Sequence, residues 1–131
     1  LHTVRDYLDL ESIRFEERLS SAYDIDPQSR HFKVPPLMVQ TLVENGIKHG
    51  IAKLKHGGTI SIRTVVEGER LRLQIRNSGQ ILNGERREGR GFGLENTRQR
   101  LRLIYGDTAK FRIYNEDSQT VLTEVIIPQE T

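Results

Sequence analysis

Residues 59–75, TISIRTVVEGERLRLQI, decide the fold. Residues 59–66 and 71–75 alternate apolar and polar side chains, and Glu67-Gly68-Glu69-Arg70 between them supplies a hairpin loop. Alternation with period two puts one set of side chains on a core and the other toward water, as in an antiparallel pair with one covered face. On the C-terminal side, residues 111–114 and 121–127 read as two more strands, joined by the turn-rich 115–119. On the N-terminal side, residues 22–25 form a candidate short strand before the turn Asp26-Pro27-Gln28-Ser29.

Helical spacing fills the gaps between these strands. Leu1, Val4, Leu8, Phe15 and Leu19 recur at helical intervals with charged residues between them, which predicts an amphipathic helix ending near Ser20. Pro35-Pro36 supplies a fixed-φ start for a second helix and Gly50 a stop. Leu94, Leu101 and Ile104 mark a third helix over 94–105. Before it, residues 77–93 carry glycines at 79, 84, 89, 91 and 93 and few apolar side chains. In a small domain such a connection marks a binding loop or a lid. The order is helix, strand, helix, two strands, loop, helix, two strands. It predicts a two-layer α+β sandwich, a mostly antiparallel mixed sheet with helices on one face, plus an N-terminal helix.

Composition narrows the function classes. The 131 residues suit one compact domain, and 20 Lys+Arg against 18 Asp+Glu leave a net charge of only +2. Acidic and basic residues are interspersed, without the clustered basic face that nucleic acid requires, so no nucleic-acid partner is expected. With no cysteine, disulfides and thiolate metal sites are excluded. No apolar run approaches the roughly 20 residues that span a bilayer. Leu1 falls inside a helical pattern, as in a piece of a longer chain. Any membrane segment is then expected upstream of it.

The second helix carries a chemical face. On a wheel of ~100° per residue, Thr41, Lys48 and His49 fall within about 60° of Asn45, with Val39, Leu42, Val43, Gly46 and Ile47 on the opposite flank and Glu44 at the edge. An Asn oxygen is a hard neutral ligand for Mg²⁺, an ammonium offsets phosphate charge, and an imidazole donates to it. The same pattern also suits an ordinary solvated helix face. Gly89-Arg90-Gly91-Phe92-Gly93-Leu94 precedes the third helix. Closely spaced glycines let backbone N–H groups approach an anion, and a helix N-terminus adds unpaired donors. A flexible loop with a glycine cap would read alike. Asn77-Ser78-Gly79 ends a strand in a sharp turn, where an amide could meet a purine amino group or simply close the strand.

Taken in order, VPPLMVQTLVENGIKHGI (34–51), RNSGQ (76–80) and GRGFGLENTRQRLRLIYG (89–106) resemble the N, G1 and G2 boxes of the GHKL ATPase/kinase superfamily. More narrowly, the chain is similar to the LytS/YehU-like sensor histidine kinases. YLDLESIRFEERL (7–19) resembles the junction between dimerisation helices and catalytic domain in that group. The resemblance implies a Bergerat-type sandwich holding Mg-ATP between the N-box helix and a mobile lid formed by residues 79–92. It implies that Asn45 coordinates Mg²⁺, that Lys48 and His49 face the phosphates, and that Gly89, Gly91, Gly93 and Leu94 give backbone contacts to them. Gly79 belongs to the turn that opens the lid, and Asn96, at the start of the following helix, would assist. Glu44 would polarise a nucleophile or pair with Lys48 on the surface.

Domains follow from the same resemblance: 1–20 the end of a dimerisation and phosphoacceptor region, 21–131 the ATP-binding catalytic domain. The expected partners are ATP, a second copy of the full-length protein and a response regulator. The expected setting is the cytoplasmic part of a membrane-anchored bacterial sensor. Two departures qualify this. The G1 box normally has Asp-x-Gly-x-Gly, whereas Asn77 stands at the carboxylate position; its Oδ1 can accept from the adenine 6-amino group without a carboxylate's charge assistance. The family's phosphoacceptor histidine lies in a Pro-His-Phe context, which His2, His31, His49 and His56 lack, so it is expected upstream of Leu1. The alternative is a nucleotide-binding regulatory or scaffold module of the same fold without transfer activity.

Overall fold

The computed structural model describes residues 4–6, 8, 10, 19–34, 37–49, 58–79 and 91–128, without the side chains of 31, 48, 49 and 91–93. Five strands form one sheet: β1 (Leu19–Ile25), β2 (Gly58–Glu67), β3 (Arg70–Ser78), β4 (Lys110–Asn115) and β5 (Thr120–Pro128), in the order β1-β2-β3-β5-β4. β1 runs parallel to β2, and the other three pairings are antiparallel. Two helices, α1 (Met38–His49) and α2 (Gly91–Tyr105), pack against each other, and α1 lies on β2 and β3. The parallel pair has the expected form, because α1 provides the crossover that returns the chain to the same end of the sheet.

Register explains the two faces. Ile60, Ile62 and Thr64 on β2 oppose Asn77, Ile75 and Leu73 on β3, which in turn oppose Val121, Thr123 and Val125 on β5. These side chains are buried, and the apolar ones share one core with Met38, Leu42, Val43 and Ile47 of α1, Leu94 and Leu101 of α2, and Val4 and Leu8. Leu42, Val43, Gly46 and Ile47 therefore form the buried flank that the wheel assigns them.

The other face carries Arg72, Gln74, Arg76, Arg112 and Glu124. Glu124, only 2% exposed, accepts from Arg72 Nη1 at 3.0 Å, Gln74 Nε2 at 2.9 Å and Arg112 Nη2 at 2.5 Å. Burial pushes its carboxyl up, but the bonds from Arg112, Gln74 and Arg72 more than offset that and hold it below the usual range. Beside it, Arg76 donates from Nε and Nη2 to the two oxygens of Glu116 at 2.8 and 2.9 Å.

Three boundaries differ from expectation. The N-terminal helix does not reach Ser20: Leu19 and Ser20 already belong to β1, paired with Gly58 and Thr59. Leu19 satisfies helical spacing and strand alternation equally, and the long-range parallel partner decides between them. The turn at 26–29 extends into a single 3₁₀ turn, Pro27–His31, capped by Asp26 Oδ1 accepting from Gln28 N at 2.9 Å. Asp26 Oδ2 also accepts from Val66 N at 3.0 Å, tying this turn to β2, and these backbone donors lower its pKa. α2 starts at Gly91, three residues before Leu94, so two glycines of the loop motif lie inside its first turn. Residues 35 and 36, the expected helix start, lie outside the described residues; Leu37, just before α1, has a left-handed φ of 65°, and its carbonyl accepts from Thr41 N at 2.9 Å. Among the described residues no helix is long and apolar enough to cross a membrane.

Candidate functional site

The end of β3 lies beneath α1. Asn77 is 2% exposed and sits on the helix-covered face, aligned with Ile60 on one side and Val121 on the other. Its Nδ2 donates to Ser78 O at 3.0 Å. Ser78 in turn anchors the strand end, accepting from Thr59 N at 2.9 Å through Oγ. Above Asn77 is Gly46, where a Cβ would come 2.9 Å from Asn77 Oδ1 and 3.2 Å from Cγ. An added methyl does not fit there without displacement of the amide. Asn45, the neighbour of Gly46 on α1, is half-buried.

The other expected site residues fall into distinct positions. Glu44 is half-buried and accepts from Gln40 Nε2 at 3.0 Å, one turn back on α1. Gly79 takes a φ of 129°, which L side chains rarely adopt, and its N–H donates to Gln119 O at 2.9 Å. Its own amide is thus committed to the sheet end, and its contribution is the turn. Gly91 and Gly93 lie in the first turn of α2, whose leading N–H groups have no intrahelical acceptor. Leu94 is buried in the core, so its side chain faces the sheet while its backbone N–H belongs to that same first turn. Asn96 is exposed in the second turn, not at the helix start. Gly89 and the side chains of Lys48 and His49 lie outside the described residues.

Comparison with known proteins gives this arrangement a family. The sensor histidine kinase YpdA of Escherichia coli is 35% identical over 120 residues, which are 86% of this chain and 21% of YpdA. YesM, a sensor histidine kinase of Bacillus subtilis, is 31% identical over 128 residues, 95% of this chain and 22% of YesM. The sensor protein LytS of Enterococcus faecalis is 30% identical over 141 residues, 99% of this chain and 24% of LytS. The catalytic domain of histidine kinase ThkA superposes with a TM-score of 0.71 at 18% identity, covering 96% of this chain and 91% of that one. The chain is a relative of the sensor histidine kinases, and its fold is that of histidine kinase catalytic domains.

The chain spans about a fifth to a quarter of the length of these curated relatives. Its fold is also that of ThkA in a complex with the response regulator protein TrrA (TM-score 0.68, 17% identity, 97% of this chain and 39% of that one). Full-length ShkA in complex with AMPPNP shares it too (TM-score 0.60, 17% identity, 98% of this chain and 29% of that one). No protein-family model matches the chain.

Histidine kinase catalytic domains use ATP, and the donor set of this chain suits it. A buried uncharged amide at a helix–strand seam matches a flat base with an amino edge. Among the described residues no three His, Asp or Glu side chains gather into a metal cluster. A single neutral Asn45 oxygen suits an ion that draws most of its ligands from phosphate and water, as Mg²⁺ does. Sequence reasoning assigned Gly46 only to the apolar flank of the helix. The signal was there nonetheless: an interior helical glycine costs about 1 kcal/mol relative to alanine, and such a residue marks a close approach. Gln40, the partner of Glu44, carried no such signal.

Proposed function

We propose that this kinase domain binds Mg-ATP along the border of α1, the end of β3 and the N-terminus of α2. We further propose that the parent protein transfers the γ-phosphoryl group to a histidine upstream of Leu1 and then to a response regulator. The observation that carries the reading is the seating of Asn77 under Gly46, beside Asn45, on the face that both helices cover. Mg-ATP supplies the phosphoryl group. The chain's residues bind and orient it. Asn77 Oδ1 accepts from the adenine amino group, Asn45 holds the metal, and Lys48 and His49 offset phosphate charge. Backbone N–H groups of Gly89, Gly91, Gly93 and Leu94 donate to phosphate oxygens, favoured by the helix dipole at the start of α2. Glu44, held by Gln40, polarises the attacking imidazole in this reading, and exposed Asn96 assists at the phosphate end. Such positioning and charge stabilisation is what phosphoryl transfer requires of a protein.

The segment ahead of β1 is assigned to the end of the dimerisation region. A dimeric, membrane-anchored sensor with this domain in the cytoplasm is the corresponding whole protein. The sensor names of relatives four to five times longer support this.

The test is isothermal titration of the chain with ADP, with and without Mg²⁺, for the natural residue and for Asn45→Ala. Loss of a metal contact is expected to weaken Mg-dependent affinity by about tenfold or more, since even outer-shell partners of a metal contribute 10–100-fold. Equal affinity in the two proteins removes Asn45 from the site. The uncharged Asn77 favours a second reading, a nucleotide-binding scaffold without transfer. A longer chain that includes the upstream histidine, given γ-labelled ATP, separates the two: labelling of histidine excludes the scaffold.

A further inference from the structure

We infer that Gly46 is a positioning residue for Asn77 and that the pair, acting as one unit, sets which purine the site accepts. This rests on the nucleotide-binding reading above and assigns its base selectivity to a residue outside the expected site set.

Asn77 is buried, uncharged and committed at one end: Nδ2 donates to Ser78 O at 3.0 Å. That bond fixes the amide plane and leaves Oδ1 as the acceptor. A fixed acceptor matches the 6-amino group of adenine and repels the 6-oxo group of guanine, which would be left without a donor. A carboxylate would present an acceptor in either orientation. An amide does so only while its orientation is held, because turning it over exchanges acceptor for donor. The orientation is compatible with the chain only because residue 46 lacks a Cβ, which would stand 2.9 Å from Oδ1. An alanine there requires the amide to shift, and a rotation away from α1 would cost the bond to Ser78. The same Cβ would be 3.5 Å from Asn77 Cβ, an ordinary contact, so the conflict is with the amide alone.

The geometry calls for a double-mutant cycle read by titration with ADP and GDP. Gly46→Ala is expected to lower ADP affinity by about three- to tenfold, the worth of one neutral hydrogen bond, and to narrow the ADP-over-GDP preference by a similar factor. In an Asn77→Ala background, which removes the amide and relieves the contact, Gly46→Ala is expected to change neither quantity by more than about twofold. Asn77 side-chain amide resonances in the nucleotide-free chain, shifted by Gly46→Ala, provide a readout independent of ligand. Thermal melts of the four proteins report folding, and if Gly46→Ala alone fails to fold while the double variant folds, the clash is confirmed directly. The inference is overturned if Gly46→Ala leaves the ADP/GDP ratio unchanged, or lowers affinity equally with and without the Asn77 amide. ADP binding by the unaltered chain with either of those results leaves the nucleotide-binding reading standing. Absence of ADP binding by the unaltered chain overturns both.

Discussion

The two faces of the sheet each bury one polar side chain to 2% exposure, and they do so by opposite means. On the helix-covered face Asn77 is neutral and lies under α1, with room made by the glycine at 46. On the opposite face Glu124 is charged, and among the described residues it is the side chains of Arg72, Arg112 and Gln74 that surround it, each donating to it. The difference follows from desolvation. Beneath a helix few donors can reach, so an uncharged amide is tolerated where a carboxylate would need several partners. On an open face arginine stems cover the carboxylate while their guanidinium groups stay partly in water, so charge can be buried without isolation. One face is built to leave an acceptor available, the other to use every acceptor it has.

The contrast is broken most severely from the covered side. Leu42, 1% exposed between α1 and the sheet, should cost about 2–5 kcal/mol on replacement by alanine, because contacts are lost and a cavity remains. Urea unfolding followed by circular dichroism measures it; a loss below ~1 kcal/mol would mean the helix layer is not the principal source of stability.

Glu124→Ala should cost about 1.5–3 kcal/mol, in the range of hydrogen bonds to charged groups, and less than Leu42→Ala because the freed arginines can regain water. This face also gives stability a pH dependence. Arg112, Gln74 and Arg72 hold the Glu124 carboxyl below its ordinary value of 4.5 against the upward push of burial, and Glu116 and Asp26 are lowered as well. The folded state thus binds these protons less tightly than the unfolded one. The stabilisation is fully present above the unfolded carboxylate values and is lost as pH falls through the lower folded ones. Midpoints of urea unfolding between pH 7 and pH 3 should fall for the natural chain and fall less steeply for Glu124→Ala; parallel curves would discount the cluster.

The smallest effect sharpens the comparison. Arg63 Nε stands 3.4 Å from Asp24 Oδ2 with both side chains more than half exposed, and Arg63→Ala should change stability by no more than about 0.5 kcal/mol. A larger change in the same unfolding assay would mean that exposed pairs at the sheet edge contribute as Glu124 does.

Much of this was legible along the chain because the signals are local. The alternation across residues 59–75 announces β2 and β3, and the wheel over α1 separates Val43 and Ile47 from Asn45. What could not be read depends on distant partners. Leu19 fits helix and strand equally until Gly58 pairs with it. Gly91 and Gly93 look like loop residues until α2 begins at Gly91. Glu124 looks like one of the solvated charges of an alternating strand, since nothing in residues 121–127 records that Arg72 and Arg112 flank it.

The sequence by itself determined the element order, the polar face of α1, the glycine-rich entry to α2 and the family resemblance, because periodicity and motif spacing are properties of neighbouring residues. Only the tertiary structure decided that β1 joins the sheet in parallel and that Asn77 lies beneath Gly46. It also decided that one glutamate of the open face is buried among arginines. Those facts arise from contacts between residues far apart in the chain, such as Gly46 with Asn77 and Arg72 with Glu124. Their free energies depend on which groups share a space, and no local pattern encodes that.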